Sequence, residues 1–268
     1  MAWVEVRRAE ATVTSWRADP VEVSWFARLA GHAASRSGFA AAGATEQTPT
    51  QAMSAIHLIG PADYVPMRVL ALVVLALQAP PFSHSVSRVT ASQLPYSWHA
   101  GCPVAPAQLR RVRLAYWGFD RKPHVGAVVV NADAVGDVVR VFARLYAARF
   151  PIRRMRPIDA YRASDERSLE ADNTAAFNCR YAVAPGPKRW SVHAFGRAID
   201  VNPVENPYLE GGRVHPRSGR AYLNRARVRP GMAVSGGSLV RAFGAVGWAW
   251  GGRWTGSPDY QHFSATGG

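Results

Sequence analysis

The sequence has 268 residues, 48% of them hydrophobic, which is long and apolar enough for a buried core in one or two domains. Its net charge of +14 favours a polyanionic partner, such as nucleic acid, anionic lipid or an acidic cell wall. No nucleic-acid-binding motif accompanies the charge, which excludes nucleic acid from the predicted partners. Arginine supplies 30 of the 32 basic residues, so the codon usage of a GC-rich genome is an alternative origin of the charge.

The first 66 residues carry no sustained hydrophobic period, and we expect them to be unstructured. A start codon assigned too far upstream of Met67 would explain them. Met67-Arg68, the nine apolar residues 69–77 and Gln78-Ala79-Pro80 resemble the three regions of a secretory signal peptide. Nine residues are too few for a helix that spans a bilayer, which takes about 20, so we predict no stable membrane span. A buried helix or strand is the alternative.

The predicted organisation therefore has three parts: an unstructured stretch at 1–66, a signal-like segment and linker at 67–86, and a folded domain at 87–268. That domain is expected to be secreted or associated with the cell wall. Its two cysteines, Cys102 and Cys179, form an even pair in an exported domain and predict a disulfide. Two unrelated buried thiols are the alternative, and the wide gap between them argues against a metal knuckle.

The first half of the domain predicts a hairpin and a helix. Residues 112–117 and 126–130 are predicted as strands that the turn at 119–124 joins. Apolar residues from Val135 to Tyr146 recur at helical spacing and predict an amphipathic helix, with Asn131 or Asp133 as its cap and Pro151 beyond its end.

The pattern beyond Pro151 is less regular. A strand is predicted at 152–158, a weaker helix or turn at 165–176, and a short strand at 198–201. Residues 202–220 are rich in proline, glycine and asparagine and predict a loop that borders a cleft.

The last segment predicts one further helix and one further strand. Ser238 is the predicted cap of a helix that Gly247 ends, and the final strand holds His262. Helices and strands thus alternate irregularly along the domain. This order predicts an α+β fold, in which helices pack on an antiparallel sheet.

Two short motifs in the last third carry the residue types of a metal-dependent hydrolase. They are Ser-Val-His-Ala-Phe-Gly-Arg-Ala-Ile-Asp at 191–200 and Ser-Pro-Asp-Tyr-Gln-His-Phe at 257–263. Two imidazoles and one carboxylate would give zinc three protein ligands and leave a fourth position for water. The remaining carboxylate could accept the proton of that water. Spacing alone leaves an alternative open, because such residues also serve turns and caps.

These motifs, together with Trp-Gly-Gly-Arg-Trp at 250–254, resemble the VanY-like zinc D-alanyl-D-alanine carboxypeptidases. That family shares the Hedgehog/DD-peptidase fold with bacteriophage L-alanyl-D-glutamate endopeptidases. The likeness runs from about Tyr96 to Phe263 and includes residues 150–155 and 173–180. It implies a zinc site in a cleft of the α+β fold. The residues that match the family's zinc ligands are His193, Asp200 and His262, and the residue that matches its catalytic base is Asp259.

The resemblance also implies a substrate, the peptidoglycan stem peptide that ends in D-alanine. A guanidinium group can bind the free carboxylate of that peptide through two hydrogen bonds. Arg162 is the first candidate, although Ala160 stands where many relatives have glycine in a Gly-Tyr-Arg segment, and Arg180 is the second. Either could equally be a surface arginine. Ser191 is a candidate for supporting the site or the substrate.

Two other functions remain open at this stage. An endopeptidase that cuts inside the stem peptide would carry the same motifs, because loops determine how open a cleft is. A non-catalytic, zinc-containing wall-binding module would lack the general base, whereas Asp259 is present. We therefore expect a zinc peptidase that acts as a monomer on the stem peptide.

Overall fold

The computed structural model describes residues 80–183 and 186–267. The predicted unstructured stretch at 1–66 and residues 67–79 of the predicted signal-like segment and linker (67–86) lie outside the described residues. Within the described ranges, the search for a helix both long and apolar enough to cross a bilayer finds none.

Ten strands and three α-helices are present in these ranges, together with short 3-10 helices. The strands are β1 (His84–Arg88), β2 (Leu109–Trp117), β3 (Pro123–Asn131), β4 (Arg154–Met155), β5 (Asn173–Thr174), β6 (Ala198–Asp200), β7 (Tyr208–Glu210), β8 (Arg213–His215), β9 (Ala249–Trp250) and β10 (His262–Ser264). The helices are α1 (Val135–Ala147), α2 (Asp165–Glu170) and α3 (Ser238–Gly244). Two sheets have three strands, in the orders β1-β2-β3 and β6-β10-β9, and two have two strands, β4-β5 and β7-β8.

The predicted hairpin is confirmed and is longer than the sequence pattern indicates. β2 and β3 pair antiparallel over nine residues, from Leu109 opposite Asn131 to Trp117 opposite Pro123. Along β2, buried and exposed side chains largely alternate, as expected where one face of a strand packs on the core.

A strand also forms where the sequence predicts a linker. β1 pairs antiparallel with β2, from His84 opposite Leu114 to Arg88 opposite Arg110. All five of its residues are exposed, so it has none of the hydrophobic alternation that identifies a strand from sequence. Pairing with the edge of β2, and not burial of its own side chains, gives this segment its structure.

One hydrophobic cluster joins both three-stranded sheets to α1 and α3. It contains Val112 of β2, Phe142 of α1, Phe243 of α3 and Phe263 of β10. The predicted helix is thereby confirmed, since its apolar face is buried in this cluster. The rings of Phe243 and Phe263 stack with centroids 4.2 Å apart, which fixes the second sheet against α3.

Three predictions for the irregular region are wrong in part. The strand expected at 152–158 is reduced to β4, because Pro157 and a 3-10 helix at Ile158–Tyr161 follow it. The helix or turn expected at 165–176 divides into α2 and β5, with the positive φ of Asp172 (53°) between them. The loop expected at 202–220 contains the β7–β8 hairpin, which turns at two glycines.

At the last helix, Ser238 is the first helical residue, and the cap position belongs to Gly237, which supplies no side chain. The disulfide between Cys102 and Cys179 is present, as predicted. Both sulfur atoms lie at a smaller hydrophobic cluster beside the first sheet. Helices packed with mainly antiparallel sheets, in which only the short β4–β5 pair of the described strands is parallel, are compatible with the predicted α+β class.

Candidate metal centre

Asp200 and His262 lie directly opposite each other in the second sheet, where β6 pairs antiparallel with β10. Ile199 and Val201 are fully buried on either side of Asp200, so strand alternation turns the carboxylate to the other face. Phe263, next to His262, is fully buried in the same way. Opposed residues in such a pair have Cβ atoms about 4.5–5.5 Å apart, so strand pairing alone brings these two side chains together.

His193 reaches the same place from a 3-10 helix, Val192–Phe195, just before β6. The side-chain oxygen of Ser191 accepts a hydrogen bond from the backbone N–H of His193 at 3.3 Å and caps this helix. Gly196 ends the helix at a φ of 67°, and a Cβ there would lie 2.6 Å from the backbone nitrogen of Asn131. Glycine is therefore required at this position of the motif.

Hydrogen bonding fixes the tautomer of His193. Its Nδ1 lies 2.6 Å from the carbonyl oxygen of Ala176, which can only accept, so Nδ1 carries the proton. The lone pair is left on Nε2, which lies 3.2 Å from His262 Nδ1 and 3.3 Å from Asp200 Oδ2. His262 Nδ1 in turn lies 3.2 Å from Asp200 Oδ1. Three atoms able to ligate a metal thus converge on one point.

The separations of these three atoms fit a single metal ion. A tetrahedral zinc with bonds of about 2.0–2.1 Å holds its ligand atoms about 3.3 Å apart. Within the described residues, the Nε2 atom of His262 is buried without a hydrogen-bond partner. The polar contacts of this ring are made by Nδ1, the atom that faces His193 and Asp200. The chemistry of the donors, two imidazoles and a carboxylate, also fits zinc.

A second group of ligand-type atoms does not fit a metal. His99, Cys102 and Cys179 lie close together. The two cysteines are joined in the disulfide, however, and therefore offer no thiolate.

Electrostatics favour an ionised carboxylate at the centre of the site. Burial acts against protonation of His193, but the Asp200 carboxylate outweighs burial and raises the pKa of His193. Burial alone would raise the pKa of Asp200. The neighbouring His193 and His262 outweigh burial and hold that pKa below its usual range. Asp200 is thus in the form that ligates a cation.

Asp259 lies on the segment that leads into β10. Its backbone N–H donates to the carbonyl of Gly251 at 3.0 Å, and a Cβ on that glycine would lie 2.8 Å from the Asp259 carbonyl oxygen. Oδ1 of Asp259 is buried and finds no hydrogen-bond partner in the described part of the chain. Burial, together with the negative charge of Asp200, raises the pKa of Asp259 to about 7. A carboxyl group with this pKa can exchange a proton near neutral pH.

All four of these side chains line one cavity of about 580 Å³. Tyr208 and Glu210 of β7 and His215 of β8 border it, so the segment predicted as a cleft-side loop does lie beside it. Trp254 forms part of the wall and packs against His262, with ring centroids 5.2 Å apart. The neighbouring tryptophans of the motif region, at 248 and 250, are buried in the core.

The two candidate arginines lie in different places. Arg180 lines the cavity, and its guanidinium group pairs with the Asp165 carboxylate. The guanidinium of Arg162 lies over the ring of Tyr96, 5.9 Å from its centroid, and Arg162 does not line the cavity. Of the two candidates, Arg180, the second choice from the sequence, is therefore the one that lies at the cavity. Ser191 lines the cavity as well.

Sequence reasoning missed three contributors to the site. Ala176 acts through its main-chain carbonyl, which any residue type provides, so no sequence signal identifies it. Tyr208 forms a β-bridge with Asp259. It lies in the segment predicted as a loop, where an aromatic side chain was the one feature that could have indicated a contact with the site. Gln261 stands inside the second motif and lines the cavity with its Oε1 atom buried.

The fold and the site together define a protein of mixed helices and antiparallel sheets, with a cavity lined by histidine and carboxylate as in metal-dependent hydrolases. Residues 185–265 match the family model described as D-alanyl-D-alanine carboxypeptidase. This match confirms the resemblance to VanY-like peptidases, and it contains both motifs. No curated protein and no solved structure matches the chain.

Proposed function

We propose that the protein is a zinc-dependent peptidase that removes the terminal D-alanine from peptidoglycan stem peptides. The observation that carries the proposal is the convergence of His193 Nε2, Asp200 and His262 Nδ1 in a cavity that Asp259 also lines. All four residues lie inside the segment that matches the carboxypeptidase family. The match supports the class of substrate, and the geometry supports the chemistry.

The proposed ligands are His193, Asp200 and His262, which leave one position of a tetrahedral ion for water. When bound, zinc supplies a Lewis acid that polarises the scissile carbonyl and acidifies water. The Ala176 carbonyl keeps the lone pair of His193 on Nε2, and the β6–β10 pairing holds the other two ligands. Each ligand is thus oriented by a contact outside the metal site.

Asp259 is the proposed general base. It accepts a proton from water as the water oxygen adds to the carbonyl carbon of the scissile amide. It then returns the proton to the amine nitrogen of the departing D-alanine as the carbon–nitrogen bond breaks. The Oδ1 atom, buried and without a hydrogen-bond partner among the described residues, and the pKa of about 7 support this role, because a base acts best when its pKa lies near the working pH.

Arg180 is the proposed partner of the free carboxylate of the substrate. A guanidinium group has five N–H donors, so its pairing with Asp165 leaves donors for a second carboxylate. The ion pair with Asp165 also restricts the motion of Arg180 before the substrate binds. Recognition of a free terminal carboxylate is what a carboxypeptidase needs and an endopeptidase does not.

We also propose that the enzyme works outside the cytoplasm. The disulfide between Cys102 and Cys179 supports this compartment, because such bonds persist in oxidising surroundings.

Mass spectrometry of purified muropeptides after digestion tests the proposed activity. Loss of a single terminal alanine is the expected result, and the Asp259→Asn protein and a chelator-treated sample are the controls. Two internal fragments would instead identify an endopeptidase. Unchanged muropeptides from protein that contains zinc would favour a binding module without catalysis.

A further inference from the structure

A second groove, separate from the cavity of the candidate metal centre, carries a concentrated positive charge. Its volume is about 420 Å³, and it shares none of its lining residues with that cavity. Five arginines, one histidine and one tyrosine are among its lining residues, and none of those residues is acidic. Nothing in the proposed peptidase chemistry uses these side chains.

Two triplets of the form arginine–apolar–arginine supply four of these arginines. One triplet is 111–113 (Arg-Val-Arg) in β2, and the other is 154–156 (Arg-Met-Arg), which begins in β4. The middle residues, Val112 and Met155, belong to the hydrophobic core, whereas the arginine on each side is exposed. Strand alternation therefore anchors each triplet in the core and leaves two guanidinium groups at the groove.

The arginines of these triplets have no paired carboxylate in the described part of the chain. In residues 80–183 and 186–267, none of their four guanidinium groups forms an ion pair with a carboxylate. The fifth arginine, Arg153, pairs with the Asp172 carboxylate, so its charge is compensated internally. Asp120 does not line the groove but lies beside it, 3.0 Å from the Nε2 atom of the lining residue His124. Four like charges held together would be stabilised by an anion bound among them.

We infer that this groove binds an anionic polymer of phosphodiester repeats that carries no bases, such as poly(glycerol phosphate). Arginines two positions apart in a strand lie about 7 Å apart, so each triplet meets successive charged groups rather than a single ion. A phosphodiester presents two equivalent charged oxygens in a tetrahedral arrangement and can accept hydrogen bonds from both triplets at once. One guanidinium fork, by contrast, already satisfies a planar carboxylate.

The lining of the groove disfavours two other polyanions. Proteins that bind single-stranded nucleic acid offer aromatic faces on which bases stack. The ring of Tyr116 in the groove is itself stacked on His124, with centroids 5.5 Å apart. Membrane surfaces are bound by apolar side chains that accompany the basic ones. The groove offers one large exposed apolar side chain, Val125, which is 56% exposed.

Fluorescence anisotropy of the full chain with end-labelled poly(glycerol phosphate) tests this inference. We expect binding that weakens as salt is added, because charged contacts release counterions. Arg111→Ser/Arg113→Ser and Arg154→Ser/Arg156→Ser should each weaken binding by about tenfold or more. The matched control, Arg220→Ser/Arg227→Ser, removes two exposed arginines outside the groove and should weaken binding by less than about twofold.

Equal loss of binding in the control pair would show that net charge alone is responsible and would overturn the inference. Binding of poly-L-glutamate as tight as that of poly(glycerol phosphate) would overturn the phosphodiester assignment. Equally tight binding of oligothymidine or phosphatidylglycerol vesicles would overturn the inference in favour of nucleic acid or membrane, and no binding at low salt would overturn it outright. Thermal unfolding of both groove variants checks that they are folded. Binding is measured without catalysis, so failure here is distinguishable from failure of the proposed peptidase activity.

Discussion

At the scale of single residues, the proposed zinc site depends on three ligand atoms whose lone pairs converge. Losing His193 or His262 leaves two ligands, where a zinc ion in a hydrolytic site has three. We therefore expect His193→Ala and His262→Ala to lower zinc content and peptide hydrolysis together, by at least about tenfold. Metal analysis of the purified proteins measures the first effect, and the exposed His84→Ala is the control. A His193→Ala protein that kept its zinc would contradict the ligand set.

Replacement of Asp259 should have a different effect from replacement of a proposed zinc ligand. Asp259→Asn keeps the shape of the side chain but cannot accept a proton, so zinc should stay bound while turnover falls by about 10²–10⁴-fold. In the unchanged enzyme the carboxyl group must be ionised to act, and its pKa is about 7. The value of kcat/KM should therefore rise with pH up to the neutral range, at or below pH 7 because a bound cation lowers the pKa further. Full activity in Asp259→Asn would refute the role.

Arg180 and Arg162 offer a matched comparison for recognition of the substrate. Arg180→Ala should lower kcat/KM for a peptide with a free terminal carboxylate by about 10–100-fold, the range expected for charge-assisted hydrogen bonds. The same variant should leave an amidated peptide unaffected, because that peptide has no carboxylate to lose. Arg162→Ala should change neither, since its side chain lies at Tyr96. Equal effects on both peptides would mean that Arg180 supports the structure of the site and does not recognise the terminal carboxylate.

At the scale of elements, the helices and strands with a regular hydrophobic period could be predicted from the sequence, and those without one could not. The apolar side chains of α1 and the alternation along β2 are local signals, and both elements form as expected. β1 has five exposed residues, and β4 has two residues in all, so their structure depends on partners distant in sequence. Such pairing leaves no pattern within the segment itself.

The candidate site shows the same division. Resemblance of the two motifs to a known family identifies the four side chains at the site, although Asp200 and Asp259 are 59 positions apart in sequence. Sequence could not supply the choice of ligand atoms, because the tautomer of His193 is set by a main-chain carbonyl. It also could not place Arg162 at Tyr96, since that depends on how the region before α2 folds.

The turn between the 3-10 helix of His193 and β6 gives a prediction at this scale. Gly196→Ala would combine the strain of a positive φ with a clash against the backbone nitrogen of Asn131. We expect it to lower the free energy of unfolding by more than the roughly 1–2 kcal/mol of φ strain alone, and to reduce zinc content. Gly236→Ala is the matched control, because its φ is 72° and nothing lies within 4 Å of the added Cβ. Denaturant unfolding of both variants separates the cost of φ strain from the cost of the clash. Equal losses of unfolding free energy in the two variants would argue against the clash.

At the scale of the whole molecule, the net charge of +14 coexists with a buried carboxyl group, that of Glu205. Glu205 is 1% exposed. Its Oε1 atom lies 3.4 Å from the Arg153 guanidinium and 3.3 Å from the Tyr222 hydroxyl. The Oε2 atom is buried and has no hydrogen-bond partner among the described residues. A neutral carboxylic acid suits this environment better than a carboxylate does.

Glu205 should therefore make the stability of the domain depend on pH. Burial, together with the negative charge of Asp172, raises its pKa from 4.5 to about 8. Between these two values the folded protein holds a proton that the unfolded chain has released, so stability should fall as pH rises from about 4.5 to about 8.

Glu205→Gln keeps the neutral shape and cannot ionise. Its melting temperature should lie close to that of the unchanged protein near pH 5 and above it at pH 8. The exposed Glu166→Gln should follow the unchanged protein throughout. If Glu205→Gln showed the same loss of stability with pH, the buried carboxyl group would not be its source.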